Sequence, residues 1–372
     1  MTNEKDATFL AQIGNHKDPY TGAISAPIHL STTYAHPSLG QSTGFDYTRT
    51  KNPTRSILEE ALAKLEAGSL AVATSSGMAA IQLVLGLFPQ GAHILAGRDL
   101  YGGSYRYFNF LEEQGSASFA YFDSQEEFEH LLAAAPEVTA VFLETPTNPL
   151  MHLFDIKQIA AQTHARGGQL IVDNTFLTPL RQKPLTLGAD FVVHSGTKFL
   201  SGHNDLLAGV AVAKSPEDGE RLAWLANTTG GTLAPFDSWL FIRSLKTLAL
   251  RLDRQEENAR SLAEKLTAFP QVTEILYPGA GGMISLRVTD PDKIPAFLEK
   301  LQLFTFAESL GGVESLVTYP TTQTHGDIPV AVREAYGLTP DLLRLSIGIE
   351  EGADLLADLQ QALEIFPKAA QR

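Results

Sequence analysis

The chain has 372 residues, 44% hydrophobic and 19% charged, which is enough apolar material for a substantial core and more than one domain. A formal net charge of −14 argues against a general nucleic-acid binder, which shows a basic face. Without cysteine there is no disulfide and no thiolate metal site.

The N-terminus, MTNEKDATFL, holds no apolar export core, and the apolar runs fall far short of the ~20 residues of a membrane span. A cytoplasmic enzyme is expected. Residues 1–55 carry Pro19, Gly22, Pro27, Pro37, Gly40, Gly44 and Pro53 among polar residues, and read as an irregular arm. Ile28, Tyr34, Phe45 and Tyr47 within it suggest docking, with a second subunit as one candidate surface.

From Ser56 the pattern changes. SILEEALAKLEAG has helical spacing and stops at Gly68. The apolar runs LAVAT (70–74), HILAG (93–97), AVFLE (140–144), QLIVDNT (169–175) and DFVVHSG (190–196) then alternate with helical stretches. Continuous Val/Ile/Leu runs between helices predict a mainly parallel sheet covered on both faces. Near Pro235 one long helix is expected, through to about Phe269, followed by a smaller α/β unit with strands in EILYP, GMISLRV, LVTYP and LLRLSIGIE. The predicted division is 1–55, 56–240 and 241–372.

Several clusters carry possible chemistry, and each also has a plain structural reading. Lys198, in VVHSGTKFLSGH, follows an apolar strand; a desolvated lysine there has a lowered pKa and a free amine for Schiff-base formation. It could equally be a surface lysine. Asp173, in LIVDNTF, ends a buried strand one strand before Lys198, where α/β sheets place ligands. A buried carboxylate needs a positive partner, and a protonated ring nitrogen would serve; a turn aspartate is the plain alternative. ATSSGMAAIQ puts a Ser-Ser-Gly turn before a helix, suited to phosphate or to simple capping by Ser75 or Ser76. Tyr101 leads a Gly-Gly turn, where its ring could stack on a planar cofactor or fill the core. ETPTNP is a Pro-bounded loop offering Glu144 and Asn148. Arg344 is a charge inside an apolar strand, so an anion is expected beside it, either a substrate carboxylate or a structural salt bridge. The ten histidines show no H-E-x-x-H, and no metal site is expected.

The order and spacing of FDYTRTKNPTR, SSGMAA, LYGGSYR, ETPTNP, VDNTF, HSGTKFLSGHND, ESLGGVES and LRLSIGIE resemble the Cys/Met-metabolism family of pyridoxal-phosphate enzymes, over nearly the whole chain. The resemblance implies α/β architecture of fold type I, aspartate aminotransferase-like: a large mainly parallel mixed sheet, a smaller C-terminal α/β domain and an N-terminal arm. It implies pyridoxal 5′-phosphate as cofactor, with Lys198 as Schiff-base lysine, Asp173 at the ring nitrogen, Tyr101 stacked on the ring and Thr175 among the cofactor-binding residues. Gly77, Met78, Ser195 and Thr197 would hold the phosphate, and Tyr47 and Arg49 would reach the phosphate of a neighbouring subunit. Arg344, Asn148, Glu308 and Ser309 would meet the substrate. A homo-oligomer is implied, a tetramer of two close dimers.

Glu308 resembles the γ-synthase and γ-lyase branches, Gly103 departs from the methionine γ-lyases, and the shortened stretch after Pro278-Gly279 resembles the branch of cystathionine γ-synthases with O-acetylhomoserine thiolyase activity, while HND at 203–205 and SGTK depart from the commoner HSD and SATK. That branch implies replacement at Cγ of a homoserine ester, acetyl or succinyl, by cysteine or sulfide. Cystathionine β- or γ-lyase activity is the alternative, and a non-catalytic regulatory protein on the same fold is another.

Overall fold

The computed structural model describes residues 5–368. Seven strands make one sheet: β1 (Leu70–Thr74), β2 (Ala92–Gly97), β3 (Ala117–Phe122), β4 (Ala140–Glu144), β5 (Gln169–Asp173), β6 (Phe191–Ser195) and β7 (Gly209–Ala213). Their order is β1-β7-β6-β5-β4-β2-β3, and only β7 runs antiparallel to its neighbours. The mainly parallel mixed sheet expected from the apolar runs is therefore present. β3 and β7 were not among the strands read from sequence. β3 is an edge strand with polar interruptions, and β7, GVAVA, is a short run following a loop without an intervening helix.

Alternate residues of the central strands serve two cores, as a period of two requires. Leu170 and Val172 of β5 face a cluster with Leu58, Phe128 and Ile159 from the helices Pro53–Glu66, Gln125–Ala134 and Ile156–Ala165. Ile171 faces the other side, with Ile81, Phe108 and Leu222 from the helices Gly77–Leu85, Gly102–Glu113 and Pro216–Thr229. Burial on both faces is what makes these strands near-continuous hydrophobic runs.

Five further strands form a second sheet: β8 (Val272–Leu276), β9 (Met283–Val288), β10 (Thr305–Phe306), β11 (Leu316–Thr318) and β12 (Leu342–Ser346), in the order β10-β11-β12-β9-β8. Leu343 and Leu345 of β12 pack on the helices Leu248–Leu266 and Gly352–Leu363. Arg344, between them, belongs to the opposite face.

Two boundaries differ from the sequence reading. The first long helix begins at Pro53 rather than Ser56, because the Asn52 side chain accepts from the N–H groups of Thr54 and Arg55 (2.9 and 3.1 Å) and proline suits the first helical position. The helix expected from Pro235 is two, Pro235–Leu245 and Leu248–Leu266. Arg251, 4% exposed, donates to the carbonyls of Ser244, Phe199 and Leu200, so the break is satisfied by a side chain and is tied to the loop carrying Lys198.

The N-terminal segment is not wholly irregular: Asp6–Gln12 is a helix whose Leu10 reaches the core. Beyond it, Tyr20, Ile24, Leu30 and Leu39 are exposed apolar side chains.

Candidate active site

A cavity of about 370 Å³ lies at the carboxyl ends of the parallel strands, where the second sheet meets the first. At one end the helix Gly77–Leu85 points its N-terminus into it. Ser76 caps that helix, its hydroxyl accepting from Ala79 N–H at 3.1 Å, so the simple capping reading holds. Capping leaves the N–H groups of Gly77 and Met78 for an anion. A Cβ on Gly77 would lie 2.9 Å from Ser195 Cβ, so glycine is what lets the helix end approach β6. Ser195 and Thr197 line the same end, although the Thr197 hydroxyl also donates to the Ala208 carbonyl and accepts from its N–H. Free N–H groups at a positive helix end beside two hydroxyls fit a phosphate ester.

β4 and β5 end side by side, with Glu144 paired in register with Asp173. Asp173 Oδ1 accepts from Thr175 N–H (3.0 Å) and Thr175 Oγ1 (2.5 Å), and among the described residues Asp173 makes no ion pair. The turn-aspartate reading is thus also correct, but it uses one oxygen. Burial pushes the Asp173 carboxyl above its ordinary range, opposed by the Thr175 bonds. Glu144 is raised well above its ordinary value, by burial first and by Asp173 second, and accepts from Tyr101 N–H at 3.0 Å. A protonated ring nitrogen would supply the cation this edge lacks.

Tyr101 lines the cavity with its ring 41% exposed, and a side chain at Gly103 would run into that ring. The ring therefore has an open face for a planar group.

Lys198 sits in the connection between β6 and β7. Because those strands are antiparallel and Ser195 pairs with Gly209, the connecting loop folds back across the carboxyl end of β6. Lys198 Nζ donates to Ser309 Oγ at 3.0 Å. Burial, helped by the Arg344 charge and opposed by Glu308, lowers the Lys198 pKa to about 8. Gly311, at φ +80, packs so tightly on the Lys198–Phe199 backbone that a Cβ would lie 2.5 Å from Phe199 N. The Gly-Gly pair after Leu310 thus seats the 308–312 turn on the lysine loop.

Arg344 is 2% exposed. Its Nη1 donates to Asn148 Oδ1 at 2.8 Å, and Nη2 donates to Ser309 O and Thr318 Oγ1, each at 3.1 Å. Its Nε has no partner, and among the described residues no carboxylate pairs with it. The structural salt bridge anticipated as an alternative is not formed there. Burial lowers its pKa to about 10, and Glu144, Tyr101 and Glu308 oppose that shift. A buried guanidinium with an unused N–H and no counter-ion fits a carboxylate ligand. Glu308 and Ser309 line the same cavity, Ser309 in an uncommon backbone conformation at φ 151.

The structure thus gathers Gly77, Met78, Tyr101, Asn148, Asp173, Thr175, Ser195, Thr197, Lys198, Glu308, Ser309 and Arg344 around one cavity. It does not bring Tyr47 and Arg49 there within the chain. Both are exposed; Arg49 bonds to Asn227 and lies 5.4 Å over the Tyr47 ring centre. Sequence reading missed Thr324, which lines the cavity, and His325, which is buried beside it. Both come from a run of turns without periodicity, so no pattern marked them.

A lysine of lowered pKa, a half-buried carboxylate one strand away, an open aromatic face and an anion cradle suit a pyridoxal-phosphate site. The chain belongs to the family described as Cys/Met metabolism PLP-dependent enzyme, whose model matches residues 7–364. It is 52% identical over 356 residues to a cystathionine gamma-synthase of Haemophilus influenzae, covering 95% of this chain and 96% of the relative. It is also 52% identical over 356 residues to a Bacillus subtilis cystathionine gamma-synthase/O-acetylhomoserine (thiol)-lyase, covering 96% and 95%. Its fold superposes with a TM-score of 0.95 on cystathionine gamma synthase of Xanthomonas oryzae pv. oryzae in complex with cystathionine, at 40% identity over 98% of this chain and 99% of that one. The fold is that of these pyridoxal-phosphate enzymes, and pyridoxal phosphate is the cofactor.

Proposed function

We propose that this enzyme replaces the acyloxy group at Cγ of O-acetyl- or O-succinylhomoserine by the thiol of cysteine, giving cystathionine, and by sulfide, giving homocysteine. The observation that carries this reading is the convergence of Lys198, Asp173 and Arg344 on one cavity. The two relatives at 52% identity, both named cystathionine gamma-synthases, support the choice of reaction. Bound pyridoxal phosphate supplies an electron sink for carbanions formed at Cα and Cβ.

The chain's own groups do the rest. Lys198, with its amine freed by burial, would hold the cofactor, and the same amine is placed to take and move the proton of the substrate Cα. Asp173, oriented by Thr175, would pair with the ring nitrogen. Tyr101, held at its N–H by Glu144, would cover the ring. Gly77, Met78, Ser195 and Thr197 would grip the phosphate. Arg344, braced by Asn148, would grip the α-carboxylate and so fix the orientation of Cα. Glu308 and Ser309 border the space for the γ-substituent and the incoming thiol. Tyr47 and Arg49 complete the phosphate site of a neighbouring subunit in a homotetramer of two close dimers. The uncovered apolar side chains of residues 20–39 support that assembly. The three-part division at residues 55 and 240 and a cytoplasmic location belong to the same reading; among the described residues no helix is long and apolar enough to cross a membrane.

Steady-state assays test the reaction. With O-acetylhomoserine, product should form in the presence of cysteine, or of sulfide, faster than cystathionine alone is broken down. Cystathionine cleavage as the dominant activity would make the enzyme a lyase. A protein that takes up the cofactor yet turns over none of these substrates would be the regulatory alternative.

A further inference from the structure

His325 is fully buried, and its imidazole joins three parts of the active site. Nε2 lies 3.2 Å from the Leu100 carbonyl and 3.0 Å from the Asn148 carbonyl. Both partners are acceptors only, so Nε2 carries the hydrogen. Nδ1 lies 2.8 Å from Thr324 Oγ1. In a neutral ring with hydrogen on Nε2, Nδ1 is an acceptor, so the threonine hydroxyl must donate to it. Burial and the nearby Arg344 and Arg333 charges lower the His325 pKa to about 4, which keeps the ring neutral.

The joined parts are functional ones. Leu100 precedes Tyr101, and the Thr324 carbonyl packs against Gly102 so closely that no Cβ would fit there. Asn148 receives the Arg344 guanidinium through its side chain while its carbonyl receives His325. Thr324 lines the cavity. One imidazole therefore ties the Tyr101 turn, the Asn148 loop and the 319–328 segment together across the junction of the two sheets. It also commits the only hydroxyl hydrogen of Thr324 inward. Thr324 lines the cavity, and with its hydrogen committed to His325 its hydroxyl can only accept a further hydrogen bond.

We propose that His325 is a positioning residue: as a neutral Nε2–H tautomer it sets Asn148, and through it Arg344, and makes Thr324 a hydrogen-bond acceptor for an amine of a bound amino acid. The kinetic part of this proposal rests on the reaction proposed above; the tautomer does not.

Nitrogen-15 NMR of the protein with labelled histidine reads the tautomer without turnover. Comparison with His325→Gln identifies the signals, which should show hydrogen on Nε2, a bare Nδ1 and no titration between about pH 5 and 8. Hydrogen on Nδ1, or protonation in the ordinary histidine range, would overturn the proposal. If His325→Gln does not fold, Thr324→Val serves instead, since loss of its hydroxyl should shift the His325 Nδ1 signal alone. In kinetics, His325→Gln and Thr324→Val should each raise KM for the homoserine ester about tenfold, the equivalent of one lost hydrogen bond, with the visible absorbance of bound cofactor unchanged. Thr324→Ser, which keeps the hydroxyl, should restore wild-type KM. A lower melting temperature with unaltered KM and kcat would show that the cluster serves stability only. Absence of turnover by the wild type would overturn the assigned reaction and leave the tautomer to be read from the spectrum.

Discussion

Asp173, half-buried, and Arg344, fully buried, are two ionisable groups facing one cavity, and they are built in opposite ways. Asp173 takes its hydrogen bonds from Thr175, two positions on, and Lys198 hangs from the neighbouring strand. Arg344 is held by Asn148, Ser309 and Thr318, which lie 196, 35 and 26 positions away. The half proposed to hold the cofactor is a stretch of sheet edge assembled from consecutive strands. The half proposed to hold the substrate exists only once the second sheet has closed on the first. Each half also lacks the other's charge. Burial pushes the carboxyls of Asp173 and Glu144 up and the Arg344 guanidinium down, so a ligand bringing a ring cation to one and a carboxylate to the other stabilises both.

The sharpest break falls on the cofactor half. Lys198→Ala should abolish turnover, because among the described residues no other amine lines the cavity. Borohydride reduction of the wild type should bleach the visible band and label Lys198. A variant with measurable turnover, or a label elsewhere, would remove Lys198 from its role.

The substrate half should break without disturbing the cofactor. Arg344→Lys loses the planar fork that grips a carboxylate, a cost of roughly 2–5 kcal/mol, or on the order of 30- to several-thousand-fold in kcat/KM. The absorbance of bound cofactor should barely change. Melting and kinetics measured on one preparation decide the matter: a stable variant with wild-type kinetics would take Arg344 out of the site.

A third test asks whether the cofactor half is complete within one chain. Arg49→Ala should weaken cofactor affinity about ten- to a hundredfold, the cost of one charge-assisted hydrogen bond. Subunits carrying Arg49→Ala mixed with subunits carrying Lys198→Ala should regain part of the lost activity, since a wild-type arm can then meet a wild-type lysine. Confirmed subunit exchange with no recovery would confine the site to a single chain.

The smallest effect is a pH dependence. The Lys198 amine, with its pKa lowered to about 8, is protonated below that pH and free above it. Capture of added pyridoxal phosphate by cofactor-free protein should therefore quicken about tenfold per pH unit up to about pH 8 and then level off. Stopped-flow absorbance measures it. A rise continuing to about pH 10 would mean an amine with an ordinary lysine pKa.

Much of the cofactor half was legible because its signals are local. AVFLE, QLIVD and FVVHS are buried on both faces and stand out as unbroken apolar runs, and the groups at their ends follow within a few residues. β3 escaped because an edge strand needs no such run, and β7 because it follows β6 through a loop with no helix between them. The break at Lys246 was illegible: helical spacing continues through it, and Arg251 reaching back to the Ser244, Phe199 and Leu200 carbonyls helps to stabilise it.

By itself the sequence determined the alternation of strand and helix, the family, and the separate motifs around Gly77, Asp173 and Lys198, because each of these is encoded by neighbours along the chain. The tertiary structure alone decided what surrounds Arg344, that Asn148 braces it, and that Thr324 and His325 join the cavity. Those contacts link residues as many as 196 and 225 positions apart, and a hydrogen bond between such distant groups leaves no periodicity for sequence to show.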